Sequence, residues 1–400
     1  MKLKYSFLSD ISIWILCILC ICSLNPWPIW HFPYIIQILI ILFIGFRLLI
    51  HKNEYKFNSI VAIFGVLIFS IIYCQFFLIN LTTSINKIFK FILPVIFFLL
   101  LDQEENNIFL NRIIKLFSII LAISLPYWII HFFINLPYSI INIGQYAPFK
   151  NYFLFVINTN DDLEWFTRYS SIYVEPGHLG MMCAILLYIN NFTLRKWENI
   201  VMTISLIWSF SLAGWMLYLI GIFLYILLKS SKILQNFTKI LIILFMFITT
   251  GFFIYKLEPD SVVSTLIIER LEFDESKGIK GNNRNGIPFT QLYNQLENSD
   301  EIWFGKGTGY QFRKYPDAGQ SYKNFVFDNG YLGFFNVLFL LGLLLFAFPS
   351  RCGLGLILLL LASFIQRPYL FMLLQFLPMI AYLRISYLNK RNLVLINQVL

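Results

Sequence analysis

Apolar runs separated by short polar joints recur along the whole chain, and they restrict its fold more than any motif does. They extend from Phe7 to Leu24, Tyr34 to Ile50, Ile60 to Ile79, Ile88 to Leu101, Ile113 to Ile134, Ile172 to Ile189 and Ile200 to Leu228. Four more follow, from Ile240 to Tyr255, Phe325 to Phe348, Gly353 to Ile365 and Pro368 to Leu383. A helix rising about 1.5 Å per residue crosses about 30 Å of hydrocarbon in roughly 20 residues. With 58% hydrophobic and 13% charged residues, and 43 Phe, the chain has too little polar side chain to cover a soluble globule of 400 residues. The expectation is an all-α polytopic membrane protein, residues 1–400 forming a single membrane domain without internal repeats. Two long polar interruptions stand out, residues 135–171 and 256–324.

The net charge of +9 does not point to nucleic acid, because Lys and Arg cluster in loops that flank apolar runs rather than in a stripe interleaved with aromatics. The six cysteines lie in or beside apolar runs, and Cys17, Cys20 and Cys22 lack a second half-site, so neither disulfides nor a metal centre is expected. The Lys2/Lys4 start and the first run continue to Leu24 without a small-residue cleavage site, which argues against a cleaved signal peptide.

Positive charge on short loops sets the orientation. Lys2 and Lys4, Lys52 and Lys56, Arg112 and Lys115, and Arg195 and Lys196 share one side if the first six spans alternate, and that side is the cytoplasm. Lys229 and Lys232, Arg351, and Arg384, Lys390 and Arg391 belong there too if the chain crosses twice between Glu198 and Lys229. The stretch Ile200 to Leu228 is too long for one untilted span and too short for two full ones, and Ser209-Phe210-Ser211-Leu212-Ala213-Gly214 interrupts it. Two short helices meeting at a break that is buried or faces water are one solution. A single tilted helix whose serines bond its own backbone is the other, and it strands three basic clusters outside. The charges favour the hairpin, giving about twelve transmembrane helices, both termini inside and both long loops outside.

Chemistry-bearing residues concentrate at a few places. Glu175-Pro176-Gly177-His178-Leu179-Gly180 puts a carboxylate and an imidazole at the mouth of an apolar run, where an ionisable group is costly unless paired or facing a wet cavity. Its plainer reading is a Pro-started helix whose Glu caps the first turn and whose His sits among headgroups. In the second loop, Ile268-Glu269-Arg270-Leu271 begins an amphipathic stretch, Arg284 lies in a flexible basic turn, and Pro288 to Glu297 forms a helical patch. The glycines of Gly305-Lys306-Gly307-Thr308-Gly309 let successive amides converge on an anion, with Lys306 adding charge, or simply make a hairpin turn. In the first loop, Tyr146, Phe149, Tyr152, Trp165, Phe166 and Tyr169 are candidates for stacking on sugars or for an interfacial belt.

The order Glu175-Pro176-Gly177-His178, the Ser209 to Gly214 break, an outer loop with Arg284, Phe304-Gly305-Lys306-Gly307-Thr308-Gly309, and Asp328-Asn329-Gly330-Tyr331-Leu332-Gly333 resembles the O-antigen polymerase and ligase family. The resemblance covers about Ile172 to Ile365; the first five spans match only in hydropathy. Arg270 followed by Gly281 is also similar to a loop motif of the polymerases. Many relatives carry Ser-Arg-Gly where this chain has Ser211-Leu212-Ala213-Gly214, and the ligase branch has His-Asn where it has Asp328-Asn329. The resemblance implies a bacterial inner-membrane glycosyltransferase that joins lipid-linked oligosaccharides on the periplasmic face without a metal, nucleotide sugar or other cofactor.

Transfer from an undecaprenyl-diphosphate sugar needs cations on the leaving diphosphate and a base at the acceptor hydroxyl. Arg284, Arg270 and Lys306 are the candidates for the first role, with Arg284, Arg270 or Arg168 to substitute for the missing break arginine; Glu175, His178 and Asp328 are those for the second. Ser211 and Asn329 are further candidate substrate contacts at the same motifs. The expected partners are the undecaprenyl-diphosphate-linked oligosaccharide, membrane lipid and a chain-length regulator, with no nucleic acid. Polymerisation of repeat units for O-antigen, capsule or exopolysaccharide is the leading expectation. A ligase passing finished glycan to another acceptor is the second, and a flippase for the same units the third. A flippase is expected to carry charges deep within several spans and inverted repeats, whereas the charge here gathers in the outer loops.

Overall fold

A computed structural model describes residues 2–32, 34–50, 57–77, 88–142, 148–159, 166–229, 287–307, 310, 321–369 and 372–399, with scattered positions between 238 and 279. The run Ile240 to Tyr255 lies largely outside them. The described chain is mostly helical. In order come α1 (Lys2–Cys22), α2 (Ile35–Leu49), α3 (Phe57–Phe77), a π-helical turn (Ile88–Ile92) leading into α4 (Leu93–Leu99), and α5 (Gln103–Ile130). A small antiparallel sheet, β1 (Ser139–Ile141), β2 (Phe149–Asn151) and β3 (Val156–Asn158), precedes α6 (Pro176–Ile189), α7 (Trp197–Trp208) and α8 (Leu212–Lys229). A two-stranded ribbon, β4 (Phe273–Asp274) and β5 (Gly278–Ile279), then leads to α9 (Ile287–Glu297), α10 (Tyr322–Ala347), α11 (Arg351–Gln366) and α12 (Leu373–Val399). By length and apolarity, α5 and α10 are long enough to cross a membrane, and α1, α2, α3, α6, α8 and α11 contain shorter apolar segments. This composition is compatible with an all-α membrane protein.

The chain divides into two compact units. The first comprises Met1–Leu24, His31–Ile114 and Asn285–Leu400, and the second Asn25–Trp30 and Lys115–Arg284.

Within the first unit, α3 and α10 run antiparallel and are joined at four levels. Asn58 Nδ2 donates to Ala347 O (2.6 Å), Gly65 faces Leu343, Asn336 Nδ2 donates to Phe69 O (3.2 Å), and Tyr73 Oη donates to Asn329 Oδ1 (3.1 Å). From Asn58 to Tyr73 an α-helix rises roughly 22 Å, most of a hydrocarbon thickness. At the Asn58 end, a buried ionic group ties together the polar joints. Arg47 forks onto Glu105 (2.7 and 3.3 Å), the Ser9 hydroxyl donates to the same carboxylate (2.5 Å), and the Asp102 amide donates to its other oxygen (2.9 Å). Arg112 pairs with Asp10. Arg384 donates to Leu101 O (2.6 Å), Phe98 O (3.4 Å) and Ser59 Oγ (3.4 Å). A buried carboxylate is tolerable only with such a set of partners. The opposite end holds Tyr73–Asn329 and the bond from Leu374 N to Ser23 Oγ (3.1 Å).

In the second unit every residue of α6 from Gly177 to Ile189 is buried. A helix apolar on all sides belongs at the centre of a packed assembly, and α8 and α7 pack on it. At its far end, Asn190 and Asn199 share a hydrogen bond (2.8 Å) and Lys196 Nζ reaches Asn190 Oδ1 (2.7 Å), fixing the turn into α7. The Ile200 to Leu228 stretch is two helices and not one tilted helix, because α7 stops at Trp208 and α8 begins at Leu212. The break is self-capped: Ser211 Oγ accepts from Gly214 N (3.2 Å), Ser209 Oγ bonds Leu206 O (2.7 Å), and Phe210 adopts a positive φ of 43°. In the sheet, Phe149 and Val156 face a small core with Val174, Trp27 and Trp30.

Candidate functional site

Two of the five sequence motifs meet in the second unit. Pro176 starts α6, its missing N–H being one that the first turn leaves unpaired in any case. Glu175 is the N-cap residue in extended geometry, but its carboxylate makes no capping hydrogen bond, which removes the plain cap reading. His178, in the first turn, is 7% exposed. Two residues on, Gly180 lies against Ser209, Ser211 and Gly214 of the break; a Cβ on Gly214 would stand 2.8 Å from Gly180 Cα. Only a pair of glycines lets the two backbones approach this closely. Ser211 is buried and spends its hydroxyl on the α8 cap.

Arg168 arrives beside the same break, because the neighbouring Tyr169 amide donates to Trp208 O (3.1 Å). The Tyr169 hydroxyl bonds the Ser124 hydroxyl, which also bonds Ser171 (2.8 Å). Trp128, Phe132, Phe166, Tyr169, Trp208 and Phe210 form a continuous aromatic cluster around the break. Phe149 and Tyr169 are completely buried, so neither can stack on a sugar. Tyr152 is half-buried and stacked on Phe155, and Phe166 is half-buried against Phe210. Tyr146 and Trp165 lie outside the described residues.

His131 was not singled out by the sequence reasoning. It lies just beyond α5, its Nδ1 against Trp128 O and its Nε2 3.2 Å from Thr167 Oγ1, among Phe132, Tyr152 and Phe155. The signal that could have found it is the one used for His178, an ionisable ring at the end of an apolar run.

The other two motifs meet in the first unit. Within α10, Gly330 adopts φ +65° and ψ −177°, so the helix breaks there and the carbonyls of Phe327 and Asp328 lose their helical donors. Lys306 N and Gly307 N replace those donors, each at 2.8 Å. The Lys306 and Gly307 amides of the expected nest are therefore taken by the broken helix and not offered to an anion; Thr308 and Gly309 lie outside the described residues. Gly305 (φ +73°) touches Gly330 so closely that a Cβ on it would stand 2.6 Å from Gly330 N, and a Cβ on Gly330 would collide with the Trp303 carbonyl.

This clamp fixes Asp328, half-buried in the last turn before the break, and Asn329, buried and held by Tyr73 and by its own bond to Phe325 O (2.9 Å). Lys306 pairs with Glu301 at the surface. Behind the clamp, Phe289, Tyr293 and Leu296 of α9 pack on Ile302, Val326 and Phe327. Asp328, Asn329 and Lys306 are thus gathered in one unit, and Glu175, His178, Arg168 and Ser211 in the other. Arg270 and Arg284 lie outside the described residues.

The fold defines the class only coarsely, as a mostly helical chain compatible with an all-α membrane protein. No protein-family model, curated protein or solved structure matches the chain.

Proposed function

We propose that the protein is a multi-pass glycosyltransferase of the bacterial inner membrane, polymerising undecaprenyl-diphosphate-linked repeat units on the periplasmic face. The observation that carries this reading is the pairing of its motifs. Glu175 to Gly180 packs on the Ser209 to Gly214 break, and Gly305 to Gly307 clamps the Asp328 to Gly330 kink, each through a glycine pair. Each close backbone approach fixes ionisable side chains beside it, Glu175 and His178 at the first and Asp328 and Lys306 at the second. The orientation draws support from the ionic end of the first unit, where joints assigned to the cytoplasm by their charge meet each other through Arg47, Glu105, Arg112 and Arg384. Asp328 and Lys306 belong to the opposite, periplasmic end on this reading, and the α7–α8 pair supports twelve spans with both termini inside.

In the reaction, an acceptor sugar hydroxyl gives its proton to a carboxylate or imidazole, with Glu175, His178 and Asp328 the candidates. The new C–O bond forms at the anomeric carbon of the donor as the bond to diphosphate breaks. The lipid diphosphate departs as an anion stabilised by Arg168, Lys306, Arg270 or Arg284. Lys306 must exchange Glu301 for the phosphate to take part.

Deleting the gene and analysing the host's glycolipids tests this directly. The proposal expects glycan of one repeat unit on its final carrier. Polymer stranded on the lipid diphosphate would instead indicate a ligase, repeat units held on the cytoplasmic face a flippase, and an unchanged profile no role in glycan assembly.

A further inference from the structure

The ionic end of the first unit contains a cavity of about 290 Å³ between α3, the end of α10 and α12. Its walls are of two kinds. Asn58, Ser59 and Arg384 supply polar groups, and Phe57, Phe348 and Leu388 supply an apolar side. Arg384 is only 5% exposed, yet its hydrogen-bond acceptors are two backbone carbonyls and one hydroxyl.

Asp102 and Glu105 act on Arg384 electrostatically. Glu105, however, is spent on Arg47, and Asp102 accepts from the Glu105 amide (2.8 Å). Among the described residues no carboxylate pairs with Arg384 directly. A buried cation bonded directly only to carbonyls and a hydroxyl, with its carboxylates at a distance and the Phe348 ring 5.8 Å away, is costly, and an anion reaching the cavity would offset that cost.

We propose that this cavity binds the headgroup phosphate of an anionic phospholipid from the adjoining leaflet, with an acyl chain along Phe57, Phe348 and Leu388. Phe57 is exposed and Leu388 half-buried, so the apolar wall is continuous with the outer surface of the helices. The three guanidinium bonds to protein leave further N–H donors on Arg384 for a phosphate oxygen. The inference rests on membrane residence and not on glycan chemistry, so it stands or falls separately from the polymerase reading.

The purified full chain in detergent is titrated with phosphatidylglycerol, with diacylglycerol of the same acyl chains, and with inorganic phosphate, and bound species are counted by native mass spectrometry. The first phosphatidylglycerol is expected to bind about tenfold more tightly than diacylglycerol, the order of one charge-assisted hydrogen bond. Inorganic phosphate is expected not to displace it. Leu388→Trp, which fills the apolar side of the cavity one turn from the buried arginine while leaving its charge in place, is expected to abolish the preference, and Arg384→Gln to weaken it. An unchanged preference in Leu388→Trp, equal binding of diacylglycerol, or displacement by inorganic phosphate alone overturns the assignment.

Discussion

At the scale of single residues, the catalytic reading turns on three ionisable groups. Glu175→Gln is nearly isosteric and retains an acceptor oxygen, so it is expected to cost less than about 1 kcal/mol of stability. If Glu175 is the base, polymer disappears while membrane levels stay normal; His178→Gln and Asp328→Asn complete the comparison, read by glycolipid gels. Wild-type polymer from all three variants would remove the base from these motifs. The sequence marked Glu175, His178 and Asp328 by type and position alone. It could not show that Phe149 and Tyr169 are core residues, because burial depends on partners distant in sequence.

At the scale of elements, the helices and the break at Ser209 to Gly214 were legible from apolar runs and polar interruptions. The kink at Gly330 was not, because Asp328-Asn329-Gly330 reads as an ordinary polar opening to a span. What specifies it is the Gly305 turn of a remote segment, whose amides take over the freed carbonyls. Gly330→Ala forces an L residue into positive φ against the Trp303 carbonyl, and a destabilisation of at least about 1–3 kcal/mol is expected by thermal unfolding in detergent. Ser211→Ala removes the α8 cap and should cost about 1 kcal/mol in the same assay. A neutral Gly330→Ala would mean that the clamp is not a fixed feature of the molecule.

At the scale of the whole molecule, charge counting on short loops gives an expected sidedness, because that rule reads net bias rather than contacts. It could not anticipate that Arg47, Glu105 and Arg384 would form one buried group, since Arg47 and Arg384 look in sequence like ordinary flanking cations. Reporter fusions placed after Lys196 and Arg351 should report the cytoplasm, and a fusion after Asn298 the periplasm. Asn298 and Arg351 on the same side would break the topology. The reaction itself is tested most directly by reconstitution. The purified full chain in vesicles receives an undecaprenyl-diphosphate-linked repeat unit as its sole substrate, with chelator present and no nucleotide sugar. The account predicts a ladder of lengthened lipid-linked glycan with release of undecaprenyl diphosphate, lost in the variant that lacks the base. Unchanged repeat units after incubation of folded wild-type protein would contradict it.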